Sequence, residues 1–423
     1  MALLEINAAF YSAFFIGILL VLAYRSKWRR YFQLGMKLPG PPALPIIGNC
    51  LQFTSKDLCK LYQELKEFVS SCGPITRLWF GPVLIVVLTD PDDFEKVVKH
   101  DKISSRGYII RKITERTFRN GLFHIEGEEW RRHRKIVSSA LHISILQMFV
   151  ENFATNSDIL ANKLKAVADG ITAHDIAPDL IRCSLDIIVQ TSSRININVQ
   201  TDNDESTMNN FKTFLETAVL RFLKPWLLID WIFNATEVGK KYNEAIKCEH
   251  GKIINEIDRK KRMTETAGKK DQNDEKPSLA DLLIEYGDIS KEEIVGEIAS
   301  IIGAGAETTS SACGYVLALL GDNQNIQERV MQEQQDIFGD DILRPVRSDD
   351  LPRMVYLEQV GNCFLPTSLF STIVAIIVHY TKCISDTHIH KHVIYTRIYT
   401  CLRAYRYIHT KEIYKIIPAR HTL

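Results

Sequence analysis

The chain has 423 residues, of which 46% are hydrophobic and 24% charged, with a formal net charge of +1. These proportions belong to an ordinary globular protein, and so small a charge excludes a chain built to hold nucleic acid. Nine cysteines, with no Cys-x-x-Cys pair, exclude a disulfide framework or a zinc site readable from spacing and suit a reducing compartment.

Ala8 to Tyr24 (AAFYSAFFIGILLVLAY) carries no charge over 17 residues, the short end of what spans a bilayer. Arg25, Lys27, Arg29 and Arg30 follow at once. By the positive-inside rule the N-terminus lies outside and the rest faces the cytosol. A cleaved signal peptide is the other reading, but the segment lacks a basic n-region. Trp28, Tyr31 and Phe32 suit the headgroup layer. Four prolines between Leu38 and Pro45 exclude a helix and predict a stiff, extended spacer.

Residues 56–70 read as helix. Ile75 to Phe80 and Val83 to Leu88 are apolar runs around Gly81-Pro82, which predicts a hairpin. Asp90-Pro91 opens a short helix through Val98. From Glu128 to about residue 338 the pattern is mainly helical. In Gly127 to His142 (GEEWRRHRKIVSSALH) Glu128 and Glu129 occupy a first turn, where the helix dipole favours acids. Trp130 and Arg134 share one face, an indole N–H beside a guanidinium fork, suited to a buried carboxylate. Arg131, Arg132, His133 and Lys135 then form a basic face, either solvated or docking an acidic partner. Pro178 to Val189 predicts a buried helix. Lys224 to Phe233 (KPWLLIDWIF) is either a packed corner or a segment dipping into a bilayer surface. Tyr242 to Arg262 predicts a charged helix, Thr264 to Ser278 a polar loop, Asn323 to Phe338 a helix stopped at Gly339, and Asp349 to Val360 a further one.

Ser290 to Leu320 (SKEEIVGEIASIIGAGAETTSSACGYVLALL) predicts the central helix. Ser290 and Glu293 form a capping-box pattern, and Ile294, Ile298, Ile301 and Ile302 recur at helical spacing. Its middle, Gly303-Ala304-Gly305-Ala306-Glu307-Thr308, combines small residues with an acid and a hydroxyl. Small residues admit either a flat ligand or a close helix crossing. A Thr hydroxyl bonding back to the preceding turn bends a helix locally, and an acid beside it can relay protons.

In this order and spacing the anchor, the Pro-rich hinge, Trp130–Arg134, Ala304-Gly305-Ala306-Glu307-Thr308-Thr309 and LPRMVYLEQV (351–360) resemble a microsomal haem-thiolate monooxygenase, a cytochrome P450, of the fatty-acid-oxidising insect and vertebrate branch. The resemblance implies a mainly α fold with a small β-sheet region (α+β). It implies an anchor and basic stop at 1–30, a hinge at 31–48 and the family domain at 49–360, in the endoplasmic reticulum membrane facing the cytosol. It implies haem as cofactor, with Trp130 and Arg134 on a haem propionate, Ala304 and Gly305 over the haem face, and Glu307 and Thr308 delivering protons to the reacting oxygen. NADPH enters only through a flavin-containing reductase docked on the basic face around Arg131, Arg132 and Lys135, and the substrate is lipophilic. Where some members carry a Glu that bonds haem covalently, this chain has Ala304.

Residues 361–423 depart from that pattern. They contain no Glu-x-x-Arg, and Cys363, Cys383 and Cys401 lack the Phe-x-x-Gly-x-Arg-x-Cys-x-Gly surroundings, so no residue there is assigned as metal ligand. Two acids, Asp386 and Glu412, stand against eight Lys and Arg, with six of the twelve His and six of the fifteen Tyr. That composition is similar to translated non-coding sequence, so the expectation is a fold incomplete at its C-terminal end, with the tail aberrant from about Gly361 and the protein catalytically impaired. The alternative is a non-catalytic membrane protein or partner-binding remnant. The His388-His390-His392 pattern is the weakest candidate for an iron ligand.

Overall fold

The structure, a computed structural model, describes residues 31–44, 47–52, 71–81, 83–99, 107–140, 149–169, 174–202, 205–267, 278–286, 288–341 and 344–362, with isolated positions between them. The anchor Ala8–Tyr24, most of the helix read at 56–70 and the tail from residue 363 lie outside the described residues. The chain divides into two compact units, Met1–His100 and Asp101–Leu423.

In the first unit, β1 (Ile75–Phe80) and β2 (Val83–Leu88) form the expected antiparallel hairpin, in register from Ile75↔Leu88 to Phe80↔Val83. Leu78, Trp79 and Phe80 are buried. The Pro-rich segment has few backbone donors of its own, and β1 supplies them. Arg77 donates from its backbone N–H to Pro39 O (2.7 Å) and from Nη2 to Gly40 O (3.2 Å) and Pro41 O (2.7 Å). Asn49 Oδ1 accepts from Trp79 N (2.8 Å), and its Nδ2 donates to Pro42 O (3.1 Å). The segment is therefore laid along β1 rather than left as a free spacer. Tyr31 and Phe32 pack on the hairpin: Phe32 stacks on Trp79 with centroids 4.6 Å apart, and Tyr31 Oη accepts from Leu84 N (3.0 Å). Helix α1 (Pro91–Val98) begins with Pro at its first turn and Asp90 as N-cap, accepting from Asp92 N and Asp93 N (2.9 and 3.1 Å).

The second unit has helices and connecting turns, with no strand among its described residues. Its helices are α2 (Tyr108–Phe118), α3 (Gly127–Ala140), α4 (Val150–Val167), α5 (Ala177–Ser193), α6 (Ser206–Leu223), α7 (Asp230–Ala235), α8 (Glu237–Ala267), α9 (Leu279–Glu285), α10 (Lys291–Asp322) and α11 (Gln324–Phe338), followed by a helical segment at 355–362. Helix α10 is the predicted central helix. Ser290 and Glu293 close the capping box, fixing two otherwise orphaned amide donors. Its 32 residues reach about 48 Å at 1.5 Å per residue. One end packs Ile294, Val295 and Ile298 with Ile136 of α3, Ile257 of α8 and Leu283 of α9. The other packs Cys313, Val316, Leu317 and Leu320 with α4, α5 and α11. Helix α5, the buried helix read from Pro178, runs along α10.

Two boundaries differ from the sequence reading. Helix α8 begins at Glu237 and continues to Ala267, because Thr264-Glu265-Thr266-Ala267 contains no Gly or Pro and Gly268 comes only after it. The segment read from Asp349 is a 3-10 turn, Ser348–Arg353, interrupted by Pro352 before the helix at 355–362. The apolar run Lys224–Phe233 is a corner that divides its residues: Leu227, Leu228 and Phe233 are buried, while Trp226, Ile229 and Trp231 are exposed. Arg221, fully buried, holds this corner through Nε to Leu227 O (3.2 Å) and through its guanidinium 4.5 Å from the Phe233 centroid.

Candidate functional site

The middle of α10 explains its small residues one by one. A side chain on Gly303 would meet Phe118 Cε1 at 2.8 Å, and one on Gly305 would meet Ile188 Cδ1 and Cγ1 at 2.7 Å. Ala306 is fully buried with Leu185, Val199 and Phe211. Gly303 and Gly305 thus serve close crossings with α2 and α5. Ala304, Glu307, Thr308 and Ser311 stand three or four residues apart, so they share one face. Those positions are half-buried or exposed, as are their neighbours Ile301, Ile302, Gly303 and Thr309.

On this face Thr308 Oγ1 donates to Ala304 O at 2.6 Å, the back-bond read from the sequence, which leaves the hydroxyl's lone pairs free to accept. Helix α10 nevertheless runs unbroken through it. Glu307 Oε1 accepts from Ser311 Oγ (3.4 Å), while its Oε2 is buried with no hydrogen-bond partner. Burial disfavours the charged carboxylate and raises the Glu307 pKa, against a smaller lowering by Ser311. An acid held toward its protonated form beside a hydroxyl is suited to passing a proton.

Helix α3 carries the second group. Trp130 is half-buried, and Arg134, one turn on, is half-buried with Nη2 buried and unpartnered. A buried guanidinium nitrogen without an acceptor is costly, and a ligand carboxylate would satisfy it. Of the basic face, Arg131 is exposed and paired with Glu128, and Lys135 is exposed. Arg132 and His133 depart from that reading. Arg132 Nη2 donates to Glu293 Oε1 (2.6 Å), and its Nη1 donates to Asp288 O (2.5 Å). His133 is fully buried, with Nδ1 2.7 Å from Glu297 Oε1 and Nε2 3.1 Å from Glu293 Oε1. The only hint in the sequence was the acid pair Glu293 and Glu297, four residues apart beside the apolar stripe of α10.

Glu129, His133 and Glu293 bring potential metal-ligand atoms within 4.8 Å of one another. Arg132 Nη2, 3.0 Å from His133 Nε2, already stands where a cation would sit. The candidate elements are thus an acid and a hydroxyl side by side on α10 and a buried, unpartnered guanidinium nitrogen on α3. The two helices are joined at the start of α10 through His133, Arg132 and Ile136.

Comparison with known proteins gives the family. The family model for cytochrome P450 matches residues 38–363. Cytochrome P450 4d2 of Drosophila melanogaster is 29% identical over 367 residues, covering 82% of this chain and 72% of that protein. Cytochrome P450 4V2 of Mus musculus is 26% identical over 358 residues, covering 81% and 66%. Cytochrome P450 4c21 of Blattella germanica is 28% identical over 358 residues, covering 82% and 70%. The chain therefore spans about two thirds to three quarters of the length of these relatives. A match over residues 38–363, these relatives and a mostly helical fold with one small hairpin lead to one conclusion: the chain belongs to the cytochrome P450 family, among its family-4 relatives from insects and mammals.

Proposed function

We propose that this protein is a membrane-anchored member of the monooxygenases that builds two sides of a haem site and carries its cofactor weakly. The observation that carries this reading is the pairing of the open Ala304–Glu307–Thr308 face with the buried, unpartnered Nη2 of Arg134. Haem, when bound, supplies the redox-active iron that activates oxygen. Arg134, with Trp130 beside it, would hold a haem propionate, since a guanidinium fork matches a carboxylate. Ala304 would form the wall that admits the flat ring, whereas Gly305, expected from the sequence to share that role, is turned to Ile188 of α5. Glu307, kept toward its acid form by burial, would hold a proton for delivery through the Thr308 hydroxyl.

The rest is carried by the sequence. Ala8–Tyr24 would anchor the chain in the endoplasmic reticulum membrane with the domain toward the cytosol. Arg131 and Lys135 would offer the basic surface for a flavin-containing reductase drawing on NADPH, whereas Arg132 is engaged with Glu293. A lipophilic substrate, a fatty acid among them, fits the branch. Residues 361–423 hold no cysteine in the Gly-rich pattern with which the family binds iron, and the thiolate supplies the electron push for oxygen activation. This favours an impaired enzyme or a non-catalytic remnant over a fully active one.

Titration of the purified chain with haemin and with haemin dimethyl ester, which lacks free propionates, tests the Arg134 assignment. Arg134→Leu is expected to weaken haemin binding about tenfold, roughly 1.4 kcal/mol, and to leave the ester unaffected. Equal loss for both ligands, or none for haemin, contradicts it.

A further inference from the structure

The buried ion cluster between α3 and α10 has no part in the reading above. We propose that His133, gripped between Glu293 and Glu297, is the positioning residue that sets the orientation of the Trp130–Arg134 arm, and that its protonation state couples propionate recognition to pH. This inference rests on the reading of Arg134 as the cofactor-carboxylate arm.

The geometry supports it in three steps. Successive residues on a helix are about 100° apart, so Trp130 and Arg134 both lie about 60–100° round the α3 axis from His133. A small rotation of α3 about its own axis therefore swings both together. His133 is fully buried and bonded on both ring nitrogens, so it resists that rotation from inside. Its anchors are also well fixed: Glu293 is the capping-box residue that starts α10, with Oε2 accepting from Ser290 N at 2.6 Å. Glu297 is fully buried one turn further along.

Protonation changes which bonds the ring can make. As imidazolium, His133 donates from Nδ1 to Glu297 and from Nε2 to Glu293. As neutral imidazole with Nδ1–H kept on Glu297, Nε2 can only accept, and the donor beside it is Arg132 Nη2 at 3.0 Å. Losing the proton thus exchanges a bond between helices for one within α3. Other charges near the interface are engaged elsewhere. Asp281 of α9 takes Lys260 and Ser278, and Asp258 of α8 takes Lys291. Glu285 and Glu129 are exposed, and Asp288 lies with Arg132.

The direction of the coupling follows. Burial alone would lower the His133 pKa, but hydrogen bonds and charge from Glu297 and Glu293 outweigh it and raise it above 6.5. Burial would raise Glu293, but bonds from Ser290 and His133 bring it to about 2. The His133 contribution is complete below pH 6.5 and lost as pH rises through its raised value. That of Glu293 is complete above 4.5 and lost as pH falls toward 2. The grip is therefore fullest between pH 4.5 and 6.5.

The test follows binding of haemin and its dimethyl ester from pH 6 to 9, together with urea unfolding, for the wild-type chain, His133→Gln and Glu297→Gln. The expected result is haemin affinity that weakens several-fold with rising pH in wild type and a flattened profile in both variants. The ester should show no such slope, and the stability difference between wild type and variants should shrink as pH rises. Parallel haemin pH profiles in wild type and both variants, or variants that only lose stability, would overturn the proposal. Equal binding of haemin and ester by wild type would instead sink the Arg134 reading on which it rests. Glu297→Gln keeps a hydrogen-bond partner for His133, so the comparison survives if His133→Gln folds poorly.

Discussion

Gly296→Ala is expected to destabilise the second unit by up to about 2 kcal/mol, while Gly251→Ala in α8 stabilises it by about 0.5–1 kcal/mol. A side chain on Gly296 would lie 2.5 Å from Gly121 N and 2.7 Å from Phe118 O, both backbone atoms. Neither can swing aside as a side chain would, so α10 or the turn after α2 must move. Gly121 faces the same constraint in reverse, its missing side chain directed at Gly296 O. Overpacking of a fixed core costs typically about 1–3 kcal/mol, and the gain in helix propensity, about 1 kcal/mol, offsets only part of it. Nothing lies within 4 Å of a side chain on Gly251, so there the propensity gain stands alone. Urea unfolding of both variants measures the contrast. Equal midpoints for Gly296→Ala and wild type would contradict the crossing described.

The second large effect is expected at Asp179. Its carboxylate, 5% exposed, lies 2.8 Å from Lys163 Nζ, 2.8 Å from His174 Nε2 and 3.5 Å from Arg182 Nη1. Asp179→Ala removes the carboxylate that Lys163 and His174 share at the start of α5, while Arg182 keeps Glu205. Breaking a buried pair from one side costs about 3–5 kcal/mol, and because Lys163 is 39% exposed solvent absorbs part of the loss, placing the cost near 3 kcal/mol. Burial would raise the Asp179 pKa, but hydrogen bonds from Lys163 and His174, with their charges, outweigh this and lower it. Its folded-state value is depressed, so its stabilisation is present above pH 3.8 and lost as pH falls through the lowered value. Acid unfolding of wild type and Asp179→Ala should converge at low pH. Curves that stay parallel down to acid would contradict this.

What the sequence made legible follows from the range of each interaction. Helix α10 was readable because its start is written within four residues, by Ser290 and Glu293, and its buried side by Ile294 and Ile298 at helical spacing. Trp130 and Arg134 were readable because one turn of helix brings them together. His133 was misassigned to a basic face because its partner Glu297 lies 164 residues away, and nothing local marks a histidine as buried. The roles of Gly121 and Gly296 were hidden for the same reason. Gly303 and Gly305 were noticed, but whether smallness serves a ligand or a neighbouring helix depends on Phe118 and Ile188, which only the fold brings near. Tyr31 and Phe32 show the same limit, since an aromatic residue suits a headgroup layer and the face of Trp79 equally well.

The central claim is that this chain builds the acid–hydroxyl wall and the carboxylate arm of a haem site, while residues 361–423 provide no thiolate loop. The most direct measurement is haem content with the carbon monoxide difference spectrum of the reduced protein purified from membranes. Haem far below one per chain, with no band near that of intact family members, is the expected result. Stoichiometric haem with such a band would contradict it.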